Sequence, residues 1–257
     1  MEREVNAKRE HIGAIDELRG LAIFLMVISH TVYDLIFMFG FDIPLFFSPF
    51  IEALQLIFAM VFIVISGFSC RLSRSNTRRG VRCLMFALLI SYVTMLVLPD
   101  AQILFGILHL LGIGMLLVGA SKKVLDRTPA VLGFIICIVL FIVTYGVEYG
   151  CLGIPGIFSV PLPSQLYGAF PLSFIVGLPE LSFYSADYYP IFPWLFLFLA
   201  GFYIGRSVET GRFPKFLYKT RVAPLAFMGR HCMTIYVLHQ PVIAALLYIV
   251  MKLIGRV

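Results

Sequence analysis

Charged residues are scarce in this chain of 257 residues: Asp, Glu, Lys and Arg make up 13% of it, against 60% hydrophobic residues. The mean hydropathy is +0.97. Soluble domains carry about 25% charged residues, so this composition argues against a soluble fold. The apolar runs are continuous rather than alternating, which argues against a transmembrane barrel. The composition therefore predicts an all-α, polytopic integral membrane bundle with the lipid bilayer as its surroundings.

Paired cysteines are also lacking, and with them the pattern of a metal site or a disulfide framework. The five cysteines contain no CxxC pair. No internal repeat, low-complexity segment or cleavable signal peptide stands out, so residues 1–257 are predicted to form a single transmembrane domain. The net charge of +6 is attributed to membrane topology rather than to nucleic-acid binding. The cysteines are Cys70, Cys83, Cys137, Cys151 and Cys232.

About seven apolar segments approach the length of roughly 20 residues that a spanning helix needs. Three loops between them are basic, and the one at Arg71–Arg82 holds five arginines and no acid. The positive-inside rule places these loops and the N-terminus in the cytoplasm, and we expect a bacterial inner membrane. The predicted spans are Leu18–Phe39, Pro49–Cys70, Val81–Leu98, Ile103–Ala120, Pro129–Val147, Pro190–Gly205 and Leu225–Met251.

The segment 149–189 is apolar but interrupted by five prolines. It joins one outward and one inward span, so it should make no net crossing. We expect an extracytoplasmic or re-entrant cap, which protein must bury if it lies at membrane depth. An eighth span at Ser164–Leu178 is the alternative.

Ionisable residues in the first span predict a reaction centre. Arg19 and His30 are eleven residues apart, which places them within about 20° on one helix face and roughly 16 Å apart along the axis. Asp34 follows one turn later and can hold a ring nitrogen of His30, as a general base requires. The axial gap suits an extended pantetheine arm, with phosphates at Arg19 and a thioester at His30. Ionisable groups inside a membrane are usually functional.

Four further motifs accompany the run from Asp16 to His30. Together they resemble the heparan-α-glucosaminide N-acetyltransferase catalytic family, within the transmembrane acyltransferases, over nearly the whole chain. The motifs are FIVISGFSCRLSRS (Phe62–Ser75), ILFGILHLLGIG (Ile103–Gly114), DYYPIFPWLFLFLAGFYIG (Asp187–Gly205) and MGRHCMTIYVLHQP (Met228–Pro241).

The resemblance implies a membrane-bound acetyltransferase. It would move acetyl from cytoplasmic acetyl-CoA, as co-substrate and without a metal, to the amine or hydroxyl of an extracytoplasmic glycan or amino sugar. His30 would act as a general base or form an acetyl-imidazole; the sequence leaves both routes open, and it leaves a homodimer open as well. The alternative is a small proton-coupled secondary transporter or channel. No inverted repeat is visible in support of it.

The second span is expected to hold the CoA phosphates at its cytoplasmic end. Gly67 would allow close approach of the backbone, while the hydroxyls of Ser66 and Ser69 and the cations Arg71 and Arg74 would bind phosphate oxygens. The other interpretation is a small-residue helix contact followed by a topogenic basic loop.

His109 is predicted to lie about six residues into its span, at the depth of His30, and to share its site. Asp187 would bind the acceptor or cap the helix that follows it. Glu52 is a weaker acceptor-site candidate. His239 is expected to have a structural role beside a helix proline.

Overall fold

A computed structural model describes residues 12–211 and 213–256 of the chain. Within these residues seven helices are long and apolar enough to cross a membrane. This confirms the predicted seven-span α-helical protein. The α-helices are α1 (Gly13–Phe37), α2 (Pro49–Leu72), α3 (Asn76–Val97), α4 (Ile107–Leu125), α5 (Ala130–Thr144), α6 (Ile191–Ile204), α7 (Arg206–Glu209), α8 (Ala223–Arg230) and α9 (Cys232–Leu253). The spans comprise α1, α2, α3, α4, α5 with the turn after it, α6 together with α7, and α9.

The predicted bounds of the last span were wrong. The segment predicted as one span, Leu225–Met251, is divided at His231, whose φ of −102° and ψ of 17° interrupt the helix between α8 and α9. The alternative eighth span at Ser164–Leu178 is wrong as well, since these residues contain only two short 3₁₀ turns. Pro171 removes a backbone donor from this stretch, and Gly168 and Gly177 adopt positive φ, so its hydrophobicity does not produce a helix.

The segment 149–189 is built from a hairpin and turns. Strand β1 (Cys151–Ile154) pairs antiparallel with β2 (Phe158–Pro161), in the register that sets Cys151 opposite Pro161. The end of the segment is held beside α4, because the amide of Tyr189 donates to the carbonyl of Phe105 at 3.0 Å. That this segment forms an extracytoplasmic or re-entrant cap stays a prediction.

The chain divides into two compact units: Met1–Phe62 with Phe213–Val257, and Ile63–Arg212. In the first unit α1 packs against α8 and α9. Glycines make the α1–α8 crossing close. A Cβ on Gly20 would overlap the carbonyl oxygen of Leu225, and one on Gly229 would overlap that of Asp16. The two helices therefore meet backbone to backbone, as small residues allow in membrane bundles.

In the second unit α3 packs on α4, and α6 packs on α5 and α4. Ion pairs gather the ends of α2, α4 and α7: Arg71 contacts both Asp126, at 2.6 Å, and Glu209, at 3.3 Å. Asp187 lies at the start of α4, the far end of a helix about 27 Å long. Within this unit the basic loops therefore meet at one end, and Asp187 lies at the other.

Candidate active site

The imidazole of His30 lies in α1, seven residues before that helix ends at Phe37. The ring is half-buried, and no hydrogen bond to either of its nitrogens is found among residues 12–211 and 213–256. Its ring contact is with His239 of α9, at 5.0 Å between ring centroids. A histidine in a membrane-spanning helix with no hydrogen bond to its ring is chemically available, as a proton acceptor must be.

The carboxylate of Asp34 is hydrogen-bonded to Gln240 of α9 and not to His30, the partner that the sequence predicted. Its carboxylate is 2% exposed and accepts from the amide of Gln240 through both oxygens, at 2.8 and 2.9 Å. The expected hydrogen bond from His30 to Asp34 is not found in the described structure. Asp34 and His30 are one turn apart on α1, but the Asp34 carboxylate accepts from the side-chain amide of Gln240 on α9. Whether Asp34 takes part in the reaction stays a prediction.

Arg19 fastens α1 to α8. Its guanidinium pairs with Asp16 at 3.0 Å and donates to the carbonyl of Gly229, in the last turn of α8, at 3.4 Å. Glu17 accepts from the backbone amides of Arg221 and the residue after it, just before α8 begins. The motif that opens α1 therefore has a helix-packing role. A CoA-binding role for Arg19 stays a prediction.

The structure gives His109 a capping role at the start of α4. It lies in the first turn, rather than six residues into the span as predicted. The amide of Gly106 donates to its Nδ1 at 3.2 Å, and its Nε2 lies 3.4 Å from the hydroxyl of Ser91. Because a backbone amide can only donate, Nδ1 carries no proton and Nε2 carries it. The ring is 5% exposed, and both of its nitrogens have partners.

Asp187 also serves the start of α4. Its Oδ2 accepts from the amide of Ile107 at 3.0 Å, one of the first amides of a helix that lack an intrahelical acceptor. The expected cap of the following helix is therefore wrong: Asp187 caps α4 instead of α6. Burial raises the pKa of the neighbouring Tyr188, so its hydroxyl stays protonated and donates to the carbonyl of Phe174 at 2.5 Å. His109 and Asp187 thus meet at one helix end.

Glu52 lies in the first turn of α2 and is exposed. A carboxylate is favoured there by the helix dipole. Its acceptor-binding role stays a prediction.

The run of small residues in α2 makes a helix crossing. A Cβ on Gly67 would overlap the carbonyl oxygen of Phe198 in α6, and one on Gly201 of α6 would overlap that of Val64. Gly67 therefore allows the close approach of a helix, the other interpretation that the sequence left open. Ser69 donates its hydroxyl to the carbonyl of Ile65 at 2.7 Å. Ser66 is buried on the same helix.

Arg71 and Arg74 differ sharply in exposure. The Arg71 side chain is 1% exposed, pairs with Asp126 and Glu209, and stacks over the Phe202 ring at 3.7 Å. These carboxylates take Nη1 and the carbonyl of Phe202 accepts from Nε, while Nη2 is buried and has no hydrogen-bond partner among the described residues. A CoA-phosphate role for Arg71 stays a prediction. Arg74 is exposed at the loop before α3. Of the two, only Arg74 has its side chain accessible to a phosphate.

A family model described as heparan-alpha-glucosaminide N-acetyltransferase, catalytic, matches residues 11–241. The chain belongs to this family. No curated protein and no solved structure matches it. Membership of the heparan-alpha-glucosaminide N-acetyltransferase family supports an acyltransferase function for this multi-pass membrane protein, as the resemblance predicted. Among the described residues no group of three or more His, Cys, Asp or Glu side chains could hold a metal ion.

Sequence reasoning missed the contribution of α9 to the site. His239 and Gln240 lie beside His30 and Asp34, although the sequence favoured a structural role for His239. The signal was present in the sequence, because LHQP places two polar side chains and a helix proline inside an apolar run. Their partners could not be identified, since they lie more than 200 positions away in the chain.

Proposed function

We propose that this protein transfers acetyl from cytoplasmic acetyl-CoA to the amine or hydroxyl of an extracytoplasmic glycan or amino sugar. The observation that carries the proposal is the His30 ring, which lies within a spanning helix of an acetyltransferase-family chain and has no hydrogen bond to its nitrogens among the described residues. The family assignment favours this reaction over the transporter alternative. A bacterial inner membrane is the proposed location.

His30 is the proposed general base. It accepts the proton of the acceptor's amine or hydroxyl as that group attacks the thioester carbonyl, so that the new carbon–nitrogen or carbon–oxygen bond forms. The carbon–sulfur bond breaks, and His30 returns the proton to the departing thiolate. An imidazole suits both transfers, because the neutral ring has one nitrogen that accepts a proton and the imidazolium can donate it again. Acetyl-CoA itself supplies the activated acetyl group.

The start of α3 is the proposed site for the CoA phosphates. Its first turn holds no acidic residue, and Arg74, Arg78 and Arg79 lie at or just before it. A helix N-terminus carries partial positive charge, so cations there are unfavourable until an anion binds. Arg74 and Arg78 are exposed, and an arginine pair matches phosphate geometry. In this proposal the residues near the end of α2 stabilise helix packing instead of binding phosphate. They are Ser66, Gly67, Ser69 and Arg71.

Sealed, oriented proteoliposomes test the proposal. Acetyl-CoA supplied at the face of the Arg71–Arg82 loop should acetylate glucosamine trapped on the opposite side, measured by mass spectrometry of the trapped sugar. Acetyl-CoA supplied at the other face should give no product. Transfer that requires both substrates on one side would contradict the transmembrane arrangement, and no transfer with any amino sugar or glycan would contradict the activity.

The phosphate site is tested in the same vesicles. Arg74→Ala combined with Arg78→Ala should raise the KM for acetyl-CoA by about tenfold or more, since each charged hydrogen bond contributes roughly 1.5–3 kcal/mol. The matched control is Lys123→Ala, which removes an exposed cation in the last turn of α4. Equal KM values for the two variants would remove the α3 site from the proposal.

A further inference from the structure

We infer that His239 is a positioning residue for His30, filling the role that the sequence predicted for Asp34. The inference rests on the proposed function, because the tautomer of His30 matters only if His30 accepts a proton. The two rings belong to packed helices of one unit, α1 and α9, and their centroids are 5.0 Å apart with 50° between the ring planes.

The hydrogen bonding of His239 determines which of its nitrogens can accept. Its Nδ1 lies 2.6 Å from the carbonyl oxygen of Tyr236. A carbonyl only accepts, so Nδ1 carries the proton, and the neutral ring has its lone pair on Nε2. That Nε2 is buried and finds no hydrogen-bond partner among the described residues. A buried acceptor without a partner is unfavourable, so the site calls for an N–H donor.

His30 is the donor that lies beside His239. With one N–H directed to His239 Nε2, the other His30 nitrogen holds the lone pair that a general base needs. The proposed hydrogen bond joins two rings whose centroids are 5.0 Å apart. Asp34, one turn further along α1, is occupied through both oxygens by Gln240. Two adjacent residues of α9 therefore each have one partner on α1: His239 pairs with His30, and Gln240 with Asp34.

Two amide substitutions that differ in reach by one methylene separate positioning from packing. In His239→Asn the side-chain amide reaches the position of Nδ1, so the bond to Tyr236 is kept and the acceptor is lost. In His239→Gln the amide reaches the position of Nε2, so the acceptor is kept. We expect His239→Asn to lower kcat about 10²-fold, as misplacement of a catalytic group does. The KM for acetyl-CoA should not change, and His239→Gln should retain most of the wild-type kcat.

A second measurement does not depend on catalysis. In protein labelled with ¹⁵N-histidine, NMR distinguishes protonated from unprotonated ring nitrogens, and loss of a signal in His30→Ala identifies His30 among five histidines. We expect one His30 tautomer in the wild type and in His239→Gln, and a mixture in His239→Asn. Identical His30 signals in all three proteins would overturn the inference. If the signals change as expected but the wild type transfers no acetyl group, the proposed function fails and the positioning role stands.

Discussion

The imidazoles of His30 and His109 lie in surroundings that differ at both ring nitrogens. His109 accepts from a backbone amide and lies beside a serine hydroxyl, within the first turn of α4. His30 has a neighbouring imidazole and no hydrogen bond in the described structure. Both were predicted to take part in the reaction, from the same residue type in the same kind of apolar helix.

The difference separates a histidine that is held by hydrogen bonds from the one that we propose as the general base. A ring with both nitrogens engaged must break a hydrogen bond before it can accept a proton, and the buried amide left behind would be costly. A ring with no such bonds has its lone pair available. In a membrane span, where stray polar groups are unfavourable, hydrogen bonding distinguishes the two better than burial does.

The largest expected effect comes from His30→Ala, which tests the reactive side of the comparison. Loss of a general base lowers kcat by about 10²- to 10⁴-fold, while acetyl-CoA binding should persist because the proposed phosphate contacts are untouched. Initial rates of acetyl transfer and a binding isotherm measure the two quantities. His231→Ala, at an exposed histidine of the α8–α9 junction, is the control and should keep its rate. Turnover at the wild-type level in His30→Ala would remove His30 from the mechanism.

Substitution of His109 should lower the stability of the protein more than its rate of acetyl transfer. His109→Leu leaves the buried amide of Gly106 without its acceptor, which should cost about 1–3 kcal/mol of unfolding free energy. His109→Gln keeps an acceptor at the third position of the helix, where Gln is favoured in a capping box. We expect a clearly lower Tm for the Leu variant than for the Gln variant, measured by thermal unfolding in detergent.

The same two variants also test whether His109 takes part in the reaction. If His109→Gln folds with a wild-type Tm yet loses transfer as severely as His30→Ala, then His109 acts in the reaction and its hydrogen bonds do not exclude it. Retained transfer in the Gln variant would assign His109 to the cap alone.

Substitution of Asp187, which caps the same end of α4 as His109, should have the smallest effect on stability. Asp187→Ala removes the oxygen that accepts from the amide of Ile107, a cap worth about 0.5–2 kcal/mol. Asp187→Asn keeps an acceptor there and should stay close to the wild-type Tm. A rise in the acceptor KM for Asp187→Asn, with an unchanged KM for acetyl-CoA, would show that the charge also binds the acceptor. Equal KM values for both substrates would leave Asp187 as a cap only.

The sequence by itself determined the seven-span helical fold. A spanning helix satisfies all of its backbone hydrogen bonds internally, so the length and hydropathy of one segment are sufficient to predict it. The same local logic identified the family, because its motifs are contiguous. It failed where the outcome depended on contacts between segments. Hydropathy alone did not show that α8 and α9 separate at His231, or that residues 164–178 form turns.

Partners of polar side chains were decided only by the tertiary structure. Arg71 was predicted to face phosphate, but the ends of α4 and α7 supply the carboxylates that take its guanidinium. Gly67 was predicted to approach a ligand, and α6 occupies that space. Asp34 was predicted to hold His30, but the side-chain amide of Gln240, 206 positions along the chain, donates to that carboxylate instead. Helix periodicity predicts which residues share a face, but only the packing of helices determines what that face meets.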